Sequence, residues 1–192
     1  MAEEQGLPES VVTAHERATD TGFQFACEIE VGRLLATLSA AVPEGGRILE
    51  IDTGVGVGLA LLVHGLGERH DVEVVTVELD DEVQQTARSA PWPSWVRFES
   101  GDGAEVVGRL GEFDLIFPGA PGGKVFKLSR TVAALRPGGV LIVDDMDLTR
   151  HEDDDLRAAL TVARQRLVED AELVCAELGF GSGVIVATKR RT

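Results

Sequence analysis

The sequence predicts an α/β fold of three layers: a seven-stranded, mostly parallel sheet, helices on both faces, and an antiparallel hairpin at its carboxyl end. Three observations lead there. From residue 47 onward, apolar β-branched runs alternate with helical stretches, the pattern of parallel strands joined by right-handed crossovers. Val74, Val75 and Val77 nearly fill one strand, as a strand covered on both faces requires. Finally, only Gly179-Phe180-Gly181-Ser182 joins the last two strand candidates, and so short a link permits antiparallel pairing alone.

The elements follow in order. Helices are expected over 10–20 and 25–41; in the second, Ile29, Leu34, Leu35 and Leu38 fall near helical spacing. Pro43-Glu44-Gly45-Gly46 breaks the chain. Parallel strands are expected over 47–51, 72–77, 95–99, 113–117 and 140–143, with helices over 57–66, 81–89, 104–110 and 124–135 between them. A helix over 153–168 leads into the hairpin strands 172–178 and 183–188.

At 192 residues the chain is read as one domain, a helical segment over 1–42 leading a core over 43–192. A chain of that size buries roughly 70% of its unfolded surface and needs no metal or disulfide staple. Cys27 and Cys175 have no CxxC or Cys/His spacing and read as reduced thiols of a cytoplasmic protein. The acidic start MAEEQGLPES lacks a leader's basic residues, and no apolar run nears the roughly 18 residues of a membrane span. Eighteen Lys and Arg face 33 Asp and Glu, a net charge of −15. Such a field repels phosphate backbones. A small-molecule partner is therefore expected, with neither nucleic acid nor membrane; the tail Lys189 to Arg191 reads as a solvated terminus.

The first expected strand runs into Asp52-Thr53-Gly54-Val55-Gly56-Val57-Gly58. In an open α/β sheet, ligands collect outside the carboxyl ends of the strands. Gly54, Gly56 and Gly58 give such a turn positive-φ freedom and remove Cβ atoms that would hold a ligand away; packing alone is the other explanation. The next strand ends at Glu78, 28 residues after Glu50. Glu78 is either a ribose acceptor or a solvated strand-end acid. After the third strand come Ser100-Gly101-Asp102-Gly103, where Asp102 suits an adenine amino group, a helix N-cap, or both. Together these imply an adenosine-containing ligand.

ILEIDTGVGVG, VVTVELDDEVQQTAR, FESGDGAEVV, FDLIF, LRPGGVLIVDDM and the closing hairpin resemble, in that order, the class I S-adenosylmethionine-dependent methyltransferases. The nearest likeness is to the small O-methyltransferases of the catechol and caffeoyl-CoA type, from about residue 30 to the end. The resemblance implies a Rossmann-like class I methyltransferase fold, with residues 1–42 as a lid and substrate segment and a possible homodimer. It implies that Glu50, Asp52, Gly54, Gly56 and Gly58 hold the methionine portion of S-adenosylmethionine. Glu78 and Leu79 then meet the ribose side, and Gly101, Asp102 and Gly103 the adenine.

Two positions depart from that family. Asp52 stands where the family usually has glycine. A carboxylate some 5 Å from the cofactor's own would cost about 3 kcal/mol at an effective dielectric near 20. Asp52 is expected either to face the cofactor's ammonium or to turn inward as an Asx-turn accepting loop N–H groups. In metal-dependent relatives three oxygen ligands hold magnesium. Asp144 and Asp145 match two of them, or form a solvated acidic turn, while Gly119 stands at the third position and has no side chain. Mg or another divalent metal is thus a weak expectation. Asp144 and Lys124 are the expected catalytic residues, Lys124 either as a base near the acceptor or as a solvated loop lysine, with His151 a further candidate base. Phe23, Phe25 and Trp92 are candidates to touch an apolar acceptor. The expected activity is O-methylation of a small-molecule hydroxyl. The alternatives are a catalytically impaired S-adenosylmethionine or S-adenosylhomocysteine binder and an NAD-linked oxidoreductase.

Overall fold

Side-chain alternation organises the sheet. Ile48, Val74, Leu115 and Ile142 face one layer and Leu49, Val75, Ile116 and Leu141 the other, all buried, as the two-residue period of a strand demands. In the computed structural model, which describes residues 6–191, the strands are β1 (Arg47–Ile51), β2 (Glu73–Glu78), β3 (Val96–Ser100), β4 (Phe113–Pro118), β5 (Leu135–Val143), β6 (Leu173–Leu178) and β7 (Val184–Lys189). They form one seven-stranded sheet in the order β3-β2-β1-β4-β5-β7-β6. The first five pair in parallel and β7 runs antiparallel to both β5 and β6. The strand order reverses between β1 and β4, so their carboxyl ends open the crevice where ligands of such sheets collect. The first five residues of the expected lid lie outside the described residues.

One face is doubly covered. Helices α1 (Glu9–Thr21) and α2 (Ile29–Ala40) pack over α3 (Val57–Leu66). That explains why α3 is apolar on every side, with Val57, Leu59, Ala60, Leu61 and Leu62 all buried. Helices α4 (Asp81–Arg88), α5 (Gly103–Val106), a single turn α6 (Pro121–Lys124), α7 (Leu128–Ala133) and α8 (Asp154–Glu169) complete the layers. The second face buries Val106, Leu128, Val132, Ala163 and Leu167 against Leu49, Ile116 and Leu141.

Three expectations change in detail. The second helix begins at Ile29 rather than 25, because residues 23–28 run extended along the crevice. The helix expected over 124–135 is broken. Gly122 (φ −65°, ψ 118°) and Gly123 (φ 84°) depart from helical geometry after Pro121, and α7 starts only after Lys127, at φ 58°. The last parallel strand begins at Leu135 instead of 140, drawing Leu-Arg-Pro-Gly-Gly into β5. Gly139 permits this, since a Cβ there would lie 2.9 Å from the carbonyl oxygens of Phe113 and Arg136.

Gly65 marks the tightest approach of α2 to α3, where an added Cβ would strike the carbonyl of Ala36. Gly65→Ala should therefore lower stability by about 1–3 kcal/mol, despite alanine's better helix propensity of about 1 kcal/mol. Thermal or urea unfolding checks the sign.

Candidate active site

The carboxyl ends of β1, β2, β4 and β5 surround a cavity of ≈ 690 Å³, closed on one side by residues 23–28. Of the residues expected to hold a cofactor, Glu50, Asp52, Gly54, Gly58 and Glu78 line it, together with Lys124, Asp144 and Asp145. Gly56, Leu79, Gly101, Asp102 and Gly103 do not line it, although they neighbour its rim in sequence.

The glycines of the first turn serve the protein's own packing. An added Cβ at Gly58 would collide with the Glu50 carboxylate; at Gly54 it would come 2.9 Å from the Phe23 ring, and at Gly56 3.0 Å from Trp92. Gly54 (φ 53°) and Gly56 (φ 91°) also need the left-handed region. Gly103 lets Ile51 pack where its own Cβ would stand. Asp102 caps α5, its Oδ1 accepting from the Ala104 N–H at 2.8 Å. Phe23 and Phe25 face the cavity, whereas Trp92 donates through Nε1 to the Ala87 carbonyl and packs with the turn from behind.

Three acids share the β1 and β2 ends, each satisfied differently. Glu78 is braced by backbone. Its Oε2 accepts from Gly54 N–H at 2.9 Å, and its Oε1 accepts from Leu79 N–H at 2.9 Å and Asp80 N–H at 3.0 Å. Glu50 is almost fully buried and accepts at Oε2 from the Thr76 hydroxyl at 2.5 Å, which in turn lies 2.6 Å from the Thr53 hydroxyl. Burial pushes Glu50 up to about 8, against the pull of the Thr76 hydrogen bond. Asp52 sits at φ 78°, and burial, then the neighbouring Glu78 carboxylate to which it hydrogen-bonds, raise it to about 7. The Asx-turn expected of Asp52 is therefore replaced. Glu78, not Asp52, accepts the loop N–H of Gly54, and Asp52 meets Glu78 carboxyl to carboxyl in the cavity wall.

Across the cavity, Lys124 reaches the end of β5. Its Nζ donates to Asp144 Oδ1 at 2.6 Å and Asp145 Oδ2 at 3.0 Å, with the Gly119 carbonyl at 3.4 Å. The lysine side chain is only 3% exposed. Burial opposes its charge, but Asp144 and then Asp145 outweigh burial and raise it above the ordinary lysine range. Burial likewise pushes Asp144 up while the ammonium pulls it back. Lys124 is consequently a held cation, and the base role expected of it does not suit this setting.

These residues do not fit a divalent cation. Among the described residues no group of three His, Cys, Asp or Glu is placed to hold one. A dication set about 4 Å from the Lys124 ammonium would be repelled by about 8 kcal/mol at an effective dielectric of 20.

His151 was a candidate from the sequence, whereas Ser182 and the Arg150–Glu28 pair were missed because their partners lie far along the chain. Ser182 Oγ accepts from the Asp145 N–H at 3.1 Å and helps hold that residue at φ 60°. His151 Nε2 lies 2.8 Å from the Asp145 carbonyl; a carbonyl only accepts, so Nε2 is the donor and Nδ1 is left to face other partners. Arg150 pairs with Glu28, tying the segment after β5 to the extended strap before α2.

A seven-stranded sheet with its last strand inserted antiparallel, and an acid-lined crevice at the switch point, define the class I methyltransferase architecture. No family model matches the chain. It is 32% identical over 201 residues to a protein of Mycobacterium sp. (strain JLS) named as an O-methyltransferase, covering 97% of this chain and 90% of that one. It is 33% identical to O-methyltransferase Rv1220c of Mycobacterium tuberculosis (strain H37Rv), covering 97% and 88%. In structure it is similar to the O-methyltransferase TomG of Streptomyces achromogenes in complex with SAM, with a TM-score of 0.81, 20% identity, and 96% and 91% of the two chains covered. An O-methyltransferase from Bacillus cereus in complex with SAH superposes with a TM-score of 0.78 at 19% identity, covering 98% and 94%. The chain belongs to the S-adenosylmethionine-dependent O-methyltransferase family.

Glu50 yields a prediction with a definite sign. The folded chain keeps this proton up to about pH 8, whereas the unfolded chain releases it near 4.5. Stability therefore falls as pH rises across that window and levels off above it. Glu50→Gln keeps an oxygen for the Thr76 hydroxyl and removes the titration. The variant should be more stable than wild type by about 1–3 kcal/mol at alkaline pH and by little at acid pH, read from melts at both ends of the window.

Proposed function

We propose that this protein transfers the methyl group of S-adenosylmethionine to a hydroxyl of a small molecule. The observation that carries the proposal is the excess of carboxylates on the cavity wall. Glu50, Asp52, Glu78, Asp144 and Asp145 face a space of ≈ 690 Å³ with Lys124 their one buried ammonium. That volume lies within the usual range for small-molecule sites. Most of these acids already have partners within the protein, but as a set they leave the wall net acidic, which suits a ligand that is itself cationic and rich in hydroxyls. When bound, S-adenosylmethionine supplies a methyl group on a positively charged sulfur.

Each residue then has a role set by its surroundings. Asp52 offers its carboxylate to the ammonium of the methionine portion. Glu78 takes the ribose hydroxyls. A carboxylate has about four lone-pair sites; three on Glu78 already accept backbone N–H groups and Asp52 meets the fourth, so the ribose hydroxyls bind by exchanging with these partners. Leu79, 72% exposed, and the Gly101-Asp102-Gly103 turn border the base. At the other end Phe23, Phe25, Leu156 and Leu160 give an apolar wall for the acceptor. Lys124 and Asp144 orient its oxygen, and Nδ1 of His151 receives its proton. Holding acceptor and donor in line supplies much of the rate by proximity. The net charge of −15 supports a small acceptor over nucleic acid, and the free thiols of Cys27 and Cys175 support a reducing, cytoplasmic setting.

Calorimetry with S-adenosylmethionine, S-adenosylhomocysteine and NAD tests the ligand class. Both sulfur nucleosides should bind and NAD should not; binding of NAD alone removes the proposal. Glu78→Ala should weaken S-adenosylhomocysteine at least tenfold, about 1.4 kcal/mol, and an unchanged affinity counts against the ribose role.

A further inference from the structure

We infer that the Lys124 ammonium is the resident cation of this site, standing where metal-dependent relatives of the fold carry a divalent ion, and that the protein neither needs nor admits such an ion. The inference rests on the methyltransferase reading above, because that reading makes Asp144 and Asp145 the floor of the acceptor subsite.

Three independent observations converge on it. The first is geometry: Nζ bridges the two carboxylates at 2.6 Å and 3.0 Å from a nearly inaccessible position, so the space between the acids is filled by a group of this chain. The second is charge. A third carboxylate with a dication adds one net positive charge to the pair of aspartates; a glycine with an ammonium adds the same. Gly119 and Lys124 together thus preserve the electrostatic balance that a metal with a third acid would set. Sterics do not force the glycine, because an added Cβ at Gly119 would meet nothing closer than the Ile51 carbonyl oxygen at 3.5 Å.

The third observation is backbone strain. Asp145 is held at φ 60°, a region a non-glycine residue enters only when its surroundings impose it. Ser182 Oγ fixes its N–H and His151 fixes its carbonyl. The conformation so imposed is the one in which its carboxylate meets Lys124. An ammonium has three N–H donors. Two are spent on the aspartates, and the third faces the Gly119 carbonyl at 3.4 Å, beyond the usual range for a full hydrogen bond. That donor is the one free to hold a single acceptor oxygen, where a metal could chelate two.

The test is a Mn²⁺ titration followed by EPR on the full chain, with S-adenosylhomocysteine calorimetry on the same samples. Wild type should leave Mn²⁺ free at millimolar concentration while still binding S-adenosylhomocysteine. The pair of changes Lys124→Met and Gly119→Asp should create a Mn²⁺ site at least tenfold tighter than any in wild type. Stoichiometric Mn²⁺ binding by wild type overturns the inference. So does Mn²⁺ left free by both the double variant and Lys124→Met alone, when circular dichroism shows them folded. If the variants do not fold, the wild-type titration decides. Loss of S-adenosylhomocysteine binding by wild type instead sinks the methyltransferase reading, and leaves the Mn²⁺ result to judge the cation by itself.

Discussion

Crowded carboxylates at one edge of a buried sheet are the constraint this structure is built around. Glu50, Asp52, Glu78, Asp144 and Asp145 line one cavity, and an unpaired charge in such surroundings costs several kcal/mol. The protein meets that cost in three ways. Protons stay on Glu50 and Asp52 well above the usual carboxylate range. Backbone N–H groups surround Glu78. A buried ammonium bridges Asp144 and Asp145. Each solution draws on a different level of structure: a titration, a turn and a long-range side-chain contact.

The fold supplies those levels in sequence order. Parallel pairing brings the ends of β1, β2 and β4 side by side, and the antiparallel insertion of β7 sets Ser182 beside Asp145. The doubly covered α3 anchors the glycine turn, since its first residues are buried and Val57 packs with α1. The strap of residues 23–28 then closes the cavity from outside and is tied down by the ion pair of Glu28 with Arg150. The cavity is therefore a product of the whole topology, with contributions from both ends of the chain.

Much of this was legible in the sequence. The strands announce themselves as β-branched runs punctuated by Gly, Pro and Asp, and the four-residue link at Gly179 dictated the hairpin. The resemblance to the class I methyltransferases implied that Glu50, Asp52, Glu78, Lys124, Asp144 and Asp145 share one edge. What stayed hidden depended on partners distant in sequence. Glu78 read as a ribose acceptor or a solvated strand-end acid, and its three backbone donors stayed hidden because such donors leave no mark in composition. Lys124 read as a base or a solvated loop lysine because its two aspartates lie 20 and 21 residues away. The helix expected over 124–135 was misread for a local reason: Lys127 stands at φ 58°, a left-handed break that residue type and spacing do not announce.

The central claim is that strand-end carboxylates of this edge grip one sulfonium nucleoside while Lys124 keeps its place between the aspartates. A crystal structure with S-adenosylhomocysteine bound tests it most directly. The account predicts ribose hydroxyls on Glu78 and the Lys124 ammonium still within hydrogen-bonding distance of Asp144 and Asp145. A nucleoside seated elsewhere, or a lysine swung out of the cavity, would contradict it.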